Sequence, residues 1–201
     1  MLKKILKISG IVFLVLIGLA FAAPIMFKGK LIKIAKANIN KNFNAKVDFK
    51  DLNISLFRHF PMLSAALEDL QVTGTGEFAG DTLISASRID LALNLWTVIS
   101  GGEIKISSVS IDKPRIHAIV NKEGKANWDI TIPDTSAVAA ESKPFKINLK
   151  HYEINQGYVS YIDVPGDMSS EILNLNHSGS GDFSSDIFTL KTSSEADAVN
   201  F

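Results

Sequence analysis

Residues 89–95 read IDLALNL, a run in which every second side chain is large and apolar. Successive side chains of a β-strand point to opposite faces, so this period of two predicts a strand with one apolar and one polar face. The same period recurs between turn signals along most of the chain after residue 46. The sequence therefore predicts a mainly β fold, with an antiparallel or mixed sheet that has one apolar side.

The alternation alone leaves open what covers that apolar side. One interpretation is an ordinary sheet covered by its own helix or by a second sheet. The other is a sheet whose apolar side is open to a ligand. The parity of the alternation also shifts by one between Phe49 and Leu52, which is typical of a β-bulge and makes the facing of individual residues harder to assign.

The amino-terminal segment has the pattern of a membrane anchor. The first 46 residues hold nine lysines and no acidic residue, and residues 10–27 carry no charge. As a helix, a run of this length spans roughly 27 Å, close to the hydrocarbon thickness of a bilayer. We therefore expect residues 1–27 to form a cytoplasmic lead and an uncleaved transmembrane anchor. The alternative is a cleaved signal peptide, because Ala20-Phe21-Ala22 fits a small-x-small cleavage site.

Charge and cysteine content exclude several classes of protein. Outside the first 46 residues the chain holds 12 basic and 21 acidic side chains, which argues against nucleic-acid binding. The chain has no cysteine, so it has no disulfide framework, no cysteine-ligated metal and no lipid attached through cysteine.

Composition and periodicity divide the remainder into four parts. Residues 28–45 predict an amphipathic exit helix, which either caps the following sheet or lies on lipid. Residues 46–130 form a first β domain, and residues 131–144 are a small, polar linker with proline near both ends. Residues 145–201 begin a second β-rich unit. Because the chain stops in what reads as mid-strand, we expect this second unit to be truncated.

The sequence offers little for catalysis or metal binding. Its histidines form no pair at the spacing that holds a metal on a helix, since they lie at His59, His117, His151 and His177. No Gly-x-Ser-x-Gly elbow is present. Asn127 is expected to bond the backbone, and Trp128 to pack on the rim of the sheet. We expect no catalytic residue, no metal and no cofactor, and therefore not an enzyme.

Several motifs occur in an order that resembles the AsmA family of bacterial envelope proteins. After the membrane segment and the basic helix come the following runs: Leu56-Phe57-Arg58-His59-Phe60-Pro61, Leu67-Glu68-Asp69-Leu70, Ile89-Asp90-Leu91-Ala92-Leu93-Asn94-Leu95-Trp96, Gly102-Glu103-Ile104-Lys105-Ile106, Val109-Ser110-Ile111-Asp112-Lys113-Pro114 and Glu123-Gly124-Lys125-Ala126-Asn127-Trp128-Asp129. The resemblance covers roughly residues 1–130, and residues 145–201 look like the next part of such a protein.

The resemblance implies a fold and a function. Members of this family, similar to TamB and to the bridge-like lipid transfer proteins, are anchored in the inner membrane, with their bulk in the periplasm. Their sheets curl into an open apolar groove that is thought to pass phospholipid toward the outer membrane. An older description is outer-membrane assembly and regulation of protein targeting to membrane.

The residues expected to line such a groove here are Phe49, Ile54, Leu56, Leu91, Leu93, Ile104, Ile106 and Ile111. The expected partners are membrane phospholipid, the inner membrane itself and possible envelope proteins. The alternative hypothesis is a non-enzymatic anchored scaffold that binds envelope proteins through the edges of its sheet.

Overall fold

The structure is a computed structural model, and it describes residues 28–30, 32–33, 36–37, 39–41, 43–59, 62–94, 106–132, 149–181 and 189–201, with the backbone alone for 56–59. The chain falls into two compact units, Met1–Ala35 and Lys36–Phe201. In the described ranges, no helix has both the length and the apolar character that crossing a bilayer requires. The span predicted at residues 10–27 lies outside those ranges.

The second unit is built on one mixed β-sheet. Its strands in the described residues are β1 (Ala45–Asp48), β2 (Asp51–His59), β3 (Met62–Gly74), β4 (Thr82–Asn94), β5 (Ile106–Asp112), β6 (Arg115–Val120), β7 (His151–Asp163), β8 (Met168–Ser180), β9 (Lys191–Glu195) and β10 (Ala198–Asn200). Neighbouring strands are antiparallel, except that β5 and β6 both run parallel to β7. The prediction of a mainly β fold with a mixed sheet is confirmed.

Several long strands pair with two short ones placed end to end. β1 and β2 both pair with β3, β5 and β6 both pair with β4 and β7, and β9 and β10 both pair with β8. The strands of residues 46–130 and those of residues 145–201 thus share one sheet. The boundaries that the sequence predicts for two separate β units and a linker stay a prediction.

A row of irregular backbone crosses this sheet. Asp69, Lys113 and Gln156 have φ angles of 51°, 50° and 54°, in the left-handed region that residues with a Cβ seldom adopt. The register sets Asp69 opposite Ser87, and Lys113 opposite Gln156. We call these four positions the irregular row. The pairing register is the same on both sides of this row, so no extra residue is inserted there. The parity shift predicted between Phe49 and Leu52 falls where β1 ends at Asp48 and β2 begins at Asp51.

The apolar side chains change face at the irregular row. Along β4, Ile84 and Ala86 point to one side, whereas Ile89 and Leu91 point to the other. The face with Ile84 packs into a small core whose centre is Ala45, Val47 and Val72, with Ile39, Phe43, Leu70, Ile84 and Ile130 against it.

Residues 36–37 and 39–41 are helical and cover that core. The Asn40 amide ties this segment to β1, because Val47 N donates to Asn40 Oδ1 at 2.7 Å and Asn40 Nδ2 donates to Val47 O at 2.8 Å. Ile39 packs on the core cluster, so this part of the predicted exit helix caps the sheet. The helical period of the sequence predicts five further residues on the same face as Ile39, namely Leu31, Ile34, Ala35, Asn38 and Asn42, and these lie outside the described ranges.

Candidate functional site

One half of the sheet carries a continuous apolar face. Side chains at partner positions of neighbouring strands project to the same face. Three such rows are Leu52–Leu67–Ile89–Ile111–Ile154, Ile54–Ala65–Leu91–Val109–Tyr152 and Leu63–Leu93–Ile106. We call these thirteen residues the apolar face. All are half-buried except Leu63, which is buried, so the face keeps partly accessible side chains across five strands.

The structure brings five of the eight predicted groove residues together on the apolar face, namely Ile54, Leu91, Leu93, Ile106 and Ile111. Leu56 follows Ile54 by two residues on β2, but its side chain is not described, and Ile104 lies outside the described ranges. Phe49 belongs to none of the three rows. Its residue is 2% exposed, and the Lys36 ammonium lies 4.9 Å from the centroid of its ring. That these residues line a groove stays a prediction.

Sequence reasoning missed the other eight members of the face. Ile89 had a visible signal, because it continues the alternation of Leu91 and Leu93. Val109 had the same kind of signal, because it continues the alternation of Ile111. Tyr152 and Ile154 had none, since only the register between strands distant in sequence shows which face they share with β4.

The reverse side of the same strands is polar. Arg88 forms two hydrogen bonds with the Asp90 carboxylate, from Nε at 2.5 Å and from Nη2 at 2.7 Å, and a third from Nη1 to Glu68 Oε1 at 3.2 Å. The hydrogen bonds to Asp90 raise the pKa of Arg88 above its usual value. Further along, Asn155 Nδ2 donates to Asp112 Oδ1 at 3.0 Å. The sheet is therefore two-sided here, with an ionic network behind the apolar face.

A cavity of about 920 Å³ lies at the irregular row. Its lining includes the cationic side chains of Lys36, Lys50, Lys113 and Arg115 and the carboxylates of Asp48 and Asp69. Lys36 Nζ lies 2.5 Å from Asp48 Oδ1, and this hydrogen bond lowers the pKa of Asp48. Lys50 Nζ lies 3.6 Å from Asp69 Oδ2. The cavity is thus charged, with more cations than carboxylates.

Two of the described histidines form hydrogen bonds with other side chains. His151 Nε2 lies 2.9 Å from Glu153 Oε1, and His177 lies 3.0 Å from the Tyr152 hydroxyl and 2.7 Å from Ser194 Oγ. In the part of the chain that the structure describes, no three His, Asp or Glu side chains are grouped so that they hold a metal ion.

Comparison with known proteins gives one match. No curated protein matches the chain, and no solved structure matches it. The model of the AsmA family matches residues 1–193, nearly the whole chain. The protein therefore belongs to the AsmA family, whose members are generally associated with the cell envelope.

Proposed function

We propose that this protein holds or conducts phospholipid along the apolar face, as a single-pass protein of the bacterial inner membrane with its bulk in the periplasm. It acts without covalent chemistry and serves outer-membrane assembly or lipid homeostasis. The observation that carries the proposal is the apolar face, thirteen residues in register across five strands. The uncharged run at residues 10–27, flanked by lysines, supports the membrane anchor.

The physical argument concerns what a half-exposed apolar sheet face binds. Covering each acyl methylene removes apolar surface from water and contributes about 0.8 kcal/mol. A series of Leu, Ile and Val side chains offers many weak dispersion contacts and no directional bond. Such a surface accepts acyl chains of different length and lets them slide, which suits a conduit better than a site for one small molecule.

The proposal is tested with the full chain, extracted from membranes and examined by native mass spectrometry for co-purified phospholipid. Leu93→Asp places a carboxylate on β4, the central strand of the apolar face, and we expect it to lower bound lipid about tenfold or more, since an unpaired charge there opposes acyl contact. The matched control is Ser108→Asp, which adds the same charge on the reverse side of the neighbouring strand.

The melting temperatures of both variants are also measured, because a change in folding must be separated from a change in binding. A folded Leu93→Asp protein with its lipid lost supports the conduit. Full lipid retention in a folded Leu93→Asp protein, or a folded wild-type protein free of lipid, contradicts it.

The alternative is a scaffold that binds envelope proteins through strand edges. The observation in its favour is that, in the described ranges, β2 pairs with β3 alone and β9 with β8 alone. Unpaired strand edges bind added strands. A lipid-free wild-type protein with its fold intact moves this alternative to first place.

A further inference from the structure

The side of β4 that carries the apolar face becomes polar within one strand. Leu93, Leu91 and Ile89 alternate along it, and Ser87 and Ser85 continue the same alternation. None of these β4 residues has a positive φ angle, so they share one side of the strand. An apolar surface therefore runs directly into a polar one, without a change of side.

The neighbouring strands extend this polar end. The register aligns Gln71 of β3, Ser85 of β4 and Arg115 of β6, so their side chains share that face. All three line the cavity at the irregular row, as do Ser87 and Lys113. The cavity thus lies where the apolar face ends, and its volume of about 920 Å³ is of the size that holds small organic ligands.

The charge of the cavity favours an anion. Two of its four cations are engaged with its two carboxylates, Lys36 with Asp48 and Lys50 with Asp69. In the described part of the chain, Lys113 and Arg115 form no ion pair with a carboxylate. Arg115 instead lies 5.7 Å from the centroid of the Tyr158 ring, which leaves its guanidinium edge to bind another group.

We infer that this cavity binds the phosphate group of an amphipathic ligand, with Lys113 and Arg115 as the residues that contact the phosphate. The inference rests on the proposed function in one respect, since the ligand's tail lies on the apolar face. The binding of the phosphate does not depend on that function. The phosphate belongs either to a lipid headgroup or to a free phosphate ester, and both offer the anionic oxygens that lysine and arginine bind.

The experiment compares three probes on the full chain in detergent. Phosphatidylglycerol carries both tail and phosphate, diacylglycerol of the same chain length carries the tail alone, and glycerol 3-phosphate carries the phosphate alone. The test variant is Lys113→Gln/Arg115→Gln. The control is Lys46→Gln/Lys122→Gln, which removes two exposed positive charges that do not line the cavity.

We expect the wild-type protein to prefer phosphatidylglycerol over diacylglycerol by about tenfold, the usual effect of one or two charge-assisted hydrogen bonds. The cavity variant should lose that preference while its diacylglycerol binding stays unchanged, and the control should keep it. A preference that survives in the cavity variant overturns the phosphate site and leaves the lipid conduit standing.

Two further outcomes separate the proposals. If neither lipid binds, but glycerol 3-phosphate binds to the wild type and not to the cavity variant, the phosphate site stands and the conduit fails. If no probe binds in a way that depends on its phosphate, the phosphate site is overturned.

Discussion

At the scale of single residues, the Asn127 side chain forms hydrogen bonds with the backbone of β6, as a paired strand would. Its side chain accepts a hydrogen bond from Ile119 N at 2.9 Å and donates one to His117 O at 2.7 Å. Asn127 is 3% exposed, so these β6 backbone groups are bonded away from water. The prediction that Asn127 bonds the backbone is confirmed.

Asn127→Asp should therefore destabilise the protein by about 2–3 kcal/mol, because a buried carboxylate would face the His117 carbonyl without a proton to donate. Chemical denaturation measures the loss. Lys122→Ala, in the exposed turn before Asn127, serves as the control and should change stability by less than about 0.5 kcal/mol. Equal stability of Asn127→Asp and wild type would mean that this hydrogen-bond pair is dispensable.

Asp48 makes stability depend on pH. The hydrogen bond from Lys36 holds the pKa of Asp48 below its usual 3.8. The ionised carboxylate thus stabilises the fold above pH 3.8, and that contribution is lost as the pH falls through the lower, folded pKa. The melting temperature of Asp48→Asn should lie below that of wild type at neutral pH, and the two should converge in acid. In a protein that carries Lys36→Gln, Asp48→Asn should change the melting temperature much less. A difference in melting temperature between Asp48→Asn and wild type that stays constant with pH would count against this ion pair.

At the scale of elements, the irregular row is where the strands change which side they bury. The conformation costs energy at residues with a Cβ, since the left-handed region is unfavourable by about 1 kcal/mol or more. Asp69, Lys113 and Gln156 all adopt it, and each lines the cavity. Strain that recurs in a row across a sheet and borders one cavity is consistent with a functional position.

Gln156→Gly should stabilise the protein by up to about 1 kcal/mol, because glycine adopts a positive φ angle without steric conflict. Because the Gln156 side chain is exposed, the exchange removes little buried surface. Gln71→Gly, at an exposed β3 position without a positive φ angle, should instead destabilise by about 1 kcal/mol. The melting temperatures of the two variants are compared with that of wild type. If Gln156→Gly lowers the melting temperature as much as Gln71→Gly, the backbone at Gln156 is not strained.

At the scale of the whole sheet, the strands before and after residues 133–148 depend on each other. β7 pairs with both β5 and β6, and β4 pairs with both on their other side. Because the sheet is continuous, damage to β4 should weaken β7 and β8 as much as it weakens β3.

Leu83→Ala tests that coupling. Leu83 of β4 is 3% exposed, and its truncation should cost about 2–4 kcal/mol. Hydrogen exchange should then accelerate in β7 by the same factor as in β3. Val199→Ala, at a half-exposed position on β10, should leave both unchanged. Acceleration confined to β1–β6 would instead support two separately folding β units, as the sequence alone predicts.

The sequence by itself determined the local structure of the strands and the family of the protein. Alternation such as that of Ile89, Leu91 and Leu93 sets strand and facing, because period two is a property of neighbouring residues. The Asn127 hydrogen bonds to the backbone followed from short-range chemistry as well. The order of short motifs over roughly residues 1–130 also indicated the family, and the family model matches residues 1–193.

Only the tertiary structure decided the pairing. No local signal reveals that Val109 lies beside Tyr152, or that Lys113 lies opposite Gln156, since these contacts join residues more than forty positions apart. The cavity depends on that register, because it gathers side chains of β3, β4, β6 and β7 that no periodicity connects. Alternation in one strand tells which residues share a face, and the hydrogen-bond register between strands tells which faces join.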